Sequence, residues 1–374
     1  MKQIIQDLKS GETMLVETPS PMIKRGHVLI QSKYSLVSSG TERMLLEFGK
    51  AGWIEKARQQ PERVIQVISK IKTDGLIPTL ETVLRKLETP IPLGYCNAGI
   101  VIGLGSDVTE FQIGDRVVSN GHHAEIVNIG KNLVCKIPDE IDFDEAAFTV
   151  VGAIALQGIR LVKPQLGEYV AVIGMGLIGS ITAQLLQYNG CKVIGIETDP
   201  DKIEFAKKLG IACILATDDD ESYQNVMNLT ENYGVDSVII TASTRSDKVI
   251  SQAAKMCRKR GKIVLVGVVG LDINRSDFYE KELSFQVSCS YGPGRYDHSY
   301  EQDGIDYPYA YVRWTERRNF EAVLDAIKRS ALKVKDMIGE VVDLDNYQTI
   351  YQKLNQSKLM ASLIKYDNAI KNET

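Results

Sequence analysis

YVAVIGMGLIGSITAQLLQYNGCKVIGIE, residues 169–197, is the stretch whose reading decides the fold. Residues 169–173 are an apolar, largely β-branched run, which predicts a buried strand. Gly174, Gly176 and Gly179 follow in the pattern G-x-G-x-x-G. Residues 180–188 carry apolar side chains at helical spacing, and Asn189-Gly190 stops that helix. A second strand over 191–196 ends at Glu197, 23 residues after Gly174. Strand, glycine turn, helix, strand and terminal acid form one βαβ unit of the kind that binds a dinucleotide.

Each part has a physical task. Gly174 permits the tight turn, Gly176 lets backbone N–H groups approach a pyrophosphate, and Gly179 lets helix and strand pack closely. The helix N-terminus adds partial positive charge. A carboxylate at Glu197 accepts from the adenosine ribose hydroxyls and repels a 2′-phosphate, and no Arg stands beside it, Lys202 being the nearest base. That pattern predicts NAD rather than NADP. Leu177 and Ile178 within the turn, and Ser243 and Gly267 at the ends of the next two strands, complete the expected cofactor site. The stretch 169–191 has no charge, yet its four glycines, Ser, Thr, two Gln and Asn argue against a membrane span.

Outward from this unit, 374 residues suffice for two domains. A net charge of −4 gives no basic field for nucleic acid. The six cysteines are widely spaced with no CxxC, and the N-terminus has no signal-peptide pattern, so a reducing cytoplasm is expected. Downstream, 199–210 reads as a helix capped by Asp199, and 235–243, 261–269 and 283–290 read as strands separated by helices at 221–232 and 246–259. Alternation of this kind predicts a doubly wound parallel sheet. Upstream, 26–42 reads as a strand entering a Ser/Gly turn, 43–87 as two or three short helices, and 90–119 as strands with Gly-rich turns, closed by residues up to Pro138. Residues 142–161 read as a helix pair. The segment 291–319 holds six Tyr, one Trp and four Arg broken by Gly and Pro, a long loop of the kind that carries function or a subunit contact. After it, two helices and a final strand are expected.

Three stretches carry a resemblance: PLGYCNAGIVIGLGSDVTEFQIGDRV, AVIGMGLIG with GIE, and the terminal LMASLIKY. In this order they resemble the medium-chain dehydrogenase/reductase superfamily over nearly the whole chain. The resemblance implies an α/β fold with a GroES-like β-barrel catalytic domain over 1–155 and 291–374 and a Rossmann domain over 156–290. The 43–87 segment is longer than the usual connection. The family's zinc ligands fall on Ser39, on Tyr95 and near Val151, none a zinc ligand in character, and the four-cysteine structural lobe is missing. That departure predicts no zinc and no other metal.

Among zinc-less members the chain looks most like the dehydrogenase half of bacterial bi-domain oxidoreductases of surface-polysaccharide biosynthesis, through residues 278–319. Hydride transfer between nicotinamide and a sugar or nucleotide-sugar carbinol is then expected. Tyr95 and Thr41 rank first as acid–base groups, followed by Glu42 and His123. His122-His123, if in a strand, face opposite ways. Ser39, Arg295, Tyr296, Arg313 and Trp314 are candidate substrate contacts, the arginines for a phosphate or carboxylate. Each has a structural alternative: Tyr95 filling the vacated ligand space, Glu42 pairing with an Arg, Arg313 at a solvated interface. Two other functions stay open: an NADPH-dependent enone or quinone reductase, and a cofactor-binding subunit active only with a partner oxidoreductase. A homodimer through the last Rossmann strand is what the family implies.

Overall fold

A computed structural model describes residues 1–8, 10–50, 89–217, 221–354 and 360–367. Its strands are, in chain order, β1 (Lys2–Gln6), β2 (Thr13–Glu17), β3 (His27–Val37), β4 (Ile91–Pro92), β5 (Asn97–Leu104), β6 (Arg116–Ser119), β7 (Ile126–Gly130), β8 (Val134–Lys136), β9 (Tyr169–Ile173), β10 (Lys192–Glu197), β11 (Ala212–Leu215), β12 (Val235–Ile240), β13 (Cys257–Leu265), β14 (Ser284–Val287), β15 (Ile338–Asp343) and β16 (Ala361–Lys365).

The expected α/β fold is present. Six parallel strands order as β11-β10-β9-β12-β13-β14. Strand order reverses between β9 and β12, which opens the crevice where a dinucleotide binds. The helix Leu177–Tyr188 follows the glycine turn, and Pro200–Lys208 follows β10 with Asp199 Oδ1 accepting from Asp201 N at 3.0 Å. The runs of Val and Ile in β9 and β12 are buried because helices cover the faces of this sheet.

The barrel is antiparallel, apart from the parallel pair β15–β16, and is centred on the long strand β3. Its sheet orders as β15-β16-β3-β5-β6-β8, with β7 also on β3, and a small sheet β2-β1-β4 lies beside it. Two helices tie barrel to parallel sheet. Thr149–Val162 packs on β12 and β13 and on Leu177–Tyr188, while Glu316–Lys328 packs on Thr149–Val162 and on β8. One continuous core therefore runs from Leu36 and Cys96 through Phe148 and Phe320 to Val170 and Ile239.

Several local readings need correction. SSGTE is the start of the helix Ser39–Lys50, not a turn, because Glu42 sends Oε1 back to Ser38 N at 3.2 Å and places negative charge at the helix start. The strand expected from 261 begins at Cys257, and the helix before it ends at Met256. The strand β15, paired parallel to β16, stands where no strand was expected, because its side chains alternate half-buried and exposed at a sheet edge. His122 and His123 precede β7 rather than lying in a strand. The helices expected over 43–87 lie outside the described residues beyond Lys50. The six cysteines are free thiols. Among the described residues no helix is long and apolar enough to cross a membrane.

Phe320 is fully buried, and its ring lies 5.5 Å from that of Tyr291. Phe320→Ala is expected to cost about 3–5 kcal/mol of stability. Urea unfolding measures it, and a loss below about 1 kcal/mol would show that the two helices do not share this core.

Candidate active site

The glycine turn meets the geometric needs of a pyrophosphate cradle. Gly174 has φ +92°, and a Cβ there would lie 2.8 Å from Ala242 N. A Cβ on Gly179 would lie 1.8 Å from Gly174 O, so only glycine lets helix and strand approach. Gly176 faces open space, and no side chain caps the helix that starts at Leu177. The N–H groups of that first turn are thus left for an anion. Ile178 is half-buried beside Leu177, Ser243 is exposed and bridges to Val268, and Gly267 packs on Ala242 O.

Glu197 does more than end a strand. Oε2 accepts from Met175 N at 2.8 Å, inside the glycine turn, and Oε1 accepts from Thr198 N, Thr198 Oγ1 and Asp199 N at 2.7, 3.0 and 3.1 Å. A carboxylate has about four lone-pair sites, so Oε2 keeps capacity for one ribose hydroxyl. Lys202 sits 3.9 Å from Asp199, half-buried on the same helix turn.

On the barrel side, a buried hydrogen-bond chain joins residues that lie far apart in sequence. Glu42 and His123 are both fully buried, with His123 Nε2 3.1 Å from Glu42 Oε1. Tyr351 OH donates to Glu42 Oε2. On the other side of the ring, His123 Nδ1 lies 2.7 Å from Ser35 Oγ. Tyr366 OH lies 2.7 Å from the same Ser35 Oγ. Burial and the Glu42 charge push the Tyr351 phenol well above its usual range, so it stays a donor.

Gly94 is the hinge of this region. It has φ +86°, and a Cβ would fall 2.6 Å from the His123 ring. His122 Nδ1 donates to Gly94 O at 2.8 Å, and burial holds the His122 imidazole below its ordinary value. The two histidines therefore converge on one glycine and fix the backbone leading to Tyr95, which is half-buried. Cys96, next to it, is fully buried, and its thiol is pushed up by burial and by Glu42 while taking a hydrogen bond from the Val151 backbone. Ser39 is half-buried at the helix start, and of Thr41 only the backbone, within Ser39–Lys50, belongs to the described structure.

The segment 291–319 lies across the junction. Asn120 Nδ2 donates to Tyr291 OH at 3.1 Å and Asn132 Nδ2 to Tyr300 O at 2.9 Å. Arg295 pairs with Glu301 at 2.5 Å, while Tyr296 is exposed beside it. Arg313 and Trp314 stack on each other at 3.7 Å. Sequence reading overlooked Glu316, which is fully buried with no hydrogen-bond donor among the described residues on either carboxyl oxygen. Ser35, Tyr351 and Tyr366 were also missed, since nothing local in their surroundings signals a network.

Two sequence models of known families match neighbouring parts of the chain. Residues 65–173 match the alcohol dehydrogenase GroES-like domain and 178–303 match the zinc-binding dehydrogenase domain. The chain is a medium-chain dehydrogenase, and hence an oxidoreductase. Among curated proteins, D-guloside 3-dehydrogenase of Escherichia coli K12 is 27% identical over 271 residues, covering 70% of this chain and 73% of that protein. Among solved structures, 2R,3R-butanediol dehydrogenase of Bacillus subtilis superposes with TM-score 0.73 at 19% identity over 97% of this chain and 99% of its own. Galactitol-1-phosphate dehydrogenase of Escherichia coli does so with TM-score 0.74 at 16% identity over 98% and 100%.

The expectation of a chain without zinc is overturned, because the model matching 178–303 is that of zinc-binding dehydrogenases. The positions from which absence was argued do not fit the ion in this medium-chain dehydrogenase: Ser39 and Tyr95 offer a hydroxyl and a phenol, Val151 no donor atom. Among the described residues the one group of three ligand-type side chains is Asp142, Asp144 and Glu145, where Lys335 already pairs with Asp142 at 2.9 Å and Glu145 at 3.4 Å. No chemical step is therefore routed through a metal here.

Burial and the neighbouring Glu301 push Glu316 up from 4.5 to about 9, with Arg295 opposing. The folded chain keeps a proton that the unfolded chain releases above about pH 4.5, so the stability this group confers is full below that value and is lost as pH rises through about 9. Glu316→Gln should flatten this decline. Thermal melts of both proteins across pH 5 to 9 check it, and parallel curves would refute a neutral Glu316.

Proposed function

We propose that the chain transfers hydride between NAD and a hydroxyl or carbonyl carbon of a sugar, sugar alcohol or nucleotide-sugar, in surface-polysaccharide biosynthesis in the cytoplasm. The proposal divides the chain as a catalytic barrel over 1–155 and 291–374 and a Rossmann domain over 156–290. The observation that carries it is the similarity to D-guloside 3-dehydrogenase over 70% of the chain, joined to a barrel lined by hydroxyl, phenol and imidazole groups.

In this reading the dinucleotide, when bound, supplies the hydride acceptor. The chain's own residues handle the proton and the pose. Tyr95 is the half-buried group next to the pinned Gly94 and moves the substrate hydroxyl proton, with Thr41 as second candidate. Glu42 and His123 are fully buried and do not touch substrate. They hold the helix start that carries Ser39 and Thr41 against the loop that leads to Tyr95. Ser39, Arg313 and Trp314 contact the substrate, and Arg295, locked to Glu301, shapes the loop that carries Tyr296.

NADH formation from NAD, followed by absorbance over sugars, sugar alcohols, nucleotide-sugars, simple alcohols and quinones, tests the substrate class. Turnover is expected on a sugar-type substrate, and faster turnover of a quinone would sink the reading. Glu197→Ala should weaken NAD binding about ten-fold or more while narrowing the gap to NADP, since it removes a charged acceptor. Titration of both cofactors measures this, and an unchanged preference would remove Glu197 from the specificity argument.

A further inference from the structure

Arg160 and Arg313 bracket one indole. The Arg160 guanidinium carbon lies 3.2 Å from the Trp314 ring centroid and that of Arg313 lies 3.7 Å from it. Two planar cations this close to one centroid would collide on a single face, so they occupy opposite faces. Trp314 is a spacer that holds two positive charges a fixed distance apart.

Among the described residues the pair meets no counter-charge. Arg160 spends Nε on the neutral Asn319 Oδ1 at 2.6 Å, and its two terminal nitrogens meet no acceptor among those residues. Among the described residues Arg313 meets only the rings of Tyr309, at 4.8 Å, and Trp314. The other arginines of the segment behave differently: Arg295 pairs with Glu301, Arg317 with Glu110 and Glu321, and Arg318 with Asp306. Burial and the charge of Arg313 lower Arg160 to about 10. Two like charges held together beside apolar surface, in a chain with 48 acidic side chains against 44 Lys and Arg, are costly without an anion.

We infer that Arg160 and Arg313, spaced by Trp314, form a binding site for a phosphate-type dianion, a phosphate monoester or a diphosphate. A carboxylate is satisfied by one guanidinium fork, whereas a phosphoryl group has oxygens for two. Arg160 lies nine residues beyond Val151 on the helix Thr149–Val162, about 13 Å along its axis, so the site is separate from the barrel residues around Tyr95. The inference does not rest on the sugar reading. Two sources share this chemistry: the phosphoryl part of an extended substrate, and a separate phosphorylated metabolite.

The experiment is calorimetric titration of the full chain with inorganic pyrophosphate, in the presence of saturating NADH so that the glycine turn is already filled. The wild type is expected to bind one pyrophosphate. Arg160→Gln and Arg313→Gln should each weaken it about ten-fold or more, and Arg25→Gln, an exposed control, should leave it unchanged. Arg313 is exposed, so its variant keeps the test open if Arg160→Gln fails to fold. In a Trp53→Phe background Trp314 is the one indole left, and its fluorescence should change on titration. No binding by the wild type at millimolar pyrophosphate, or equal binding by all variants, overturns the site. Competition by a nucleoside diphosphate-sugar assigns the dianion to the substrate, and its absence assigns it to a separate ligand.

Discussion

A carboxylate removed from water must be surrounded by donors, or it stays neutral. Glu42 is the first case, and the barrel is arranged around it. Its donors come from the Ser38 backbone, from His123 before β7 and from Tyr351 in the helix Gln348–Lys353. These segments are distant in sequence, and each must reach its place for the charge to be satisfied. Removing one donor would leave a buried charge short of partners, which costs more than the bond itself contributes. The chain continues through Ser35 to Tyr366, so β3 and the residue that follows β16 are bound into the same arrangement.

Glu316 is the second case, with the opposite outcome. It is equally buried, yet no donor among the described residues reaches it, and a second carboxylate stands close by. The proton is its only means of shedding charge. The same fold thus holds one buried acid surrounded by donors and another, without them, that is pushed up to about 9. The difference lies in which segments pack there: β3 and the His123 loop bring N–H and O–H groups, whereas the 291–319 segment brings Glu301.

In the glycine turn a single side chain holds the backbone in place. Glu197 ties the turn to the end of β10 through Met175 N. In the proposed reading the turn is thus preorganised for the dinucleotide, which spares ordering cost on binding. The long helix Thr149–Val162 joins the two regions, since it touches the Cys96 region at one end and the parallel sheet at the other.

The amino-acid sequence alone determined the parallel sheet and its cofactor turn, because glycines 174, 176 and 179, the flanking apolar runs and Glu197 act within one βαβ unit. Contacts there are local, so spacing suffices to read them. Helix limits drifted by a few residues where a side chain such as Glu42 reached back to start the helix early. The zinc question was not legible from Ser39, Tyr95 and Val151, since three positions do not speak for a family. What tertiary structure alone decided are the arrangements built from remote segments: the Tyr351–Glu42–His123–Ser35–Tyr366 chain, the neutral Glu316 and the Arg160–Trp314–Arg313 stack. No periodicity records these, because their members meet only after the barrel closes and the 291–319 segment folds across the two linking helices.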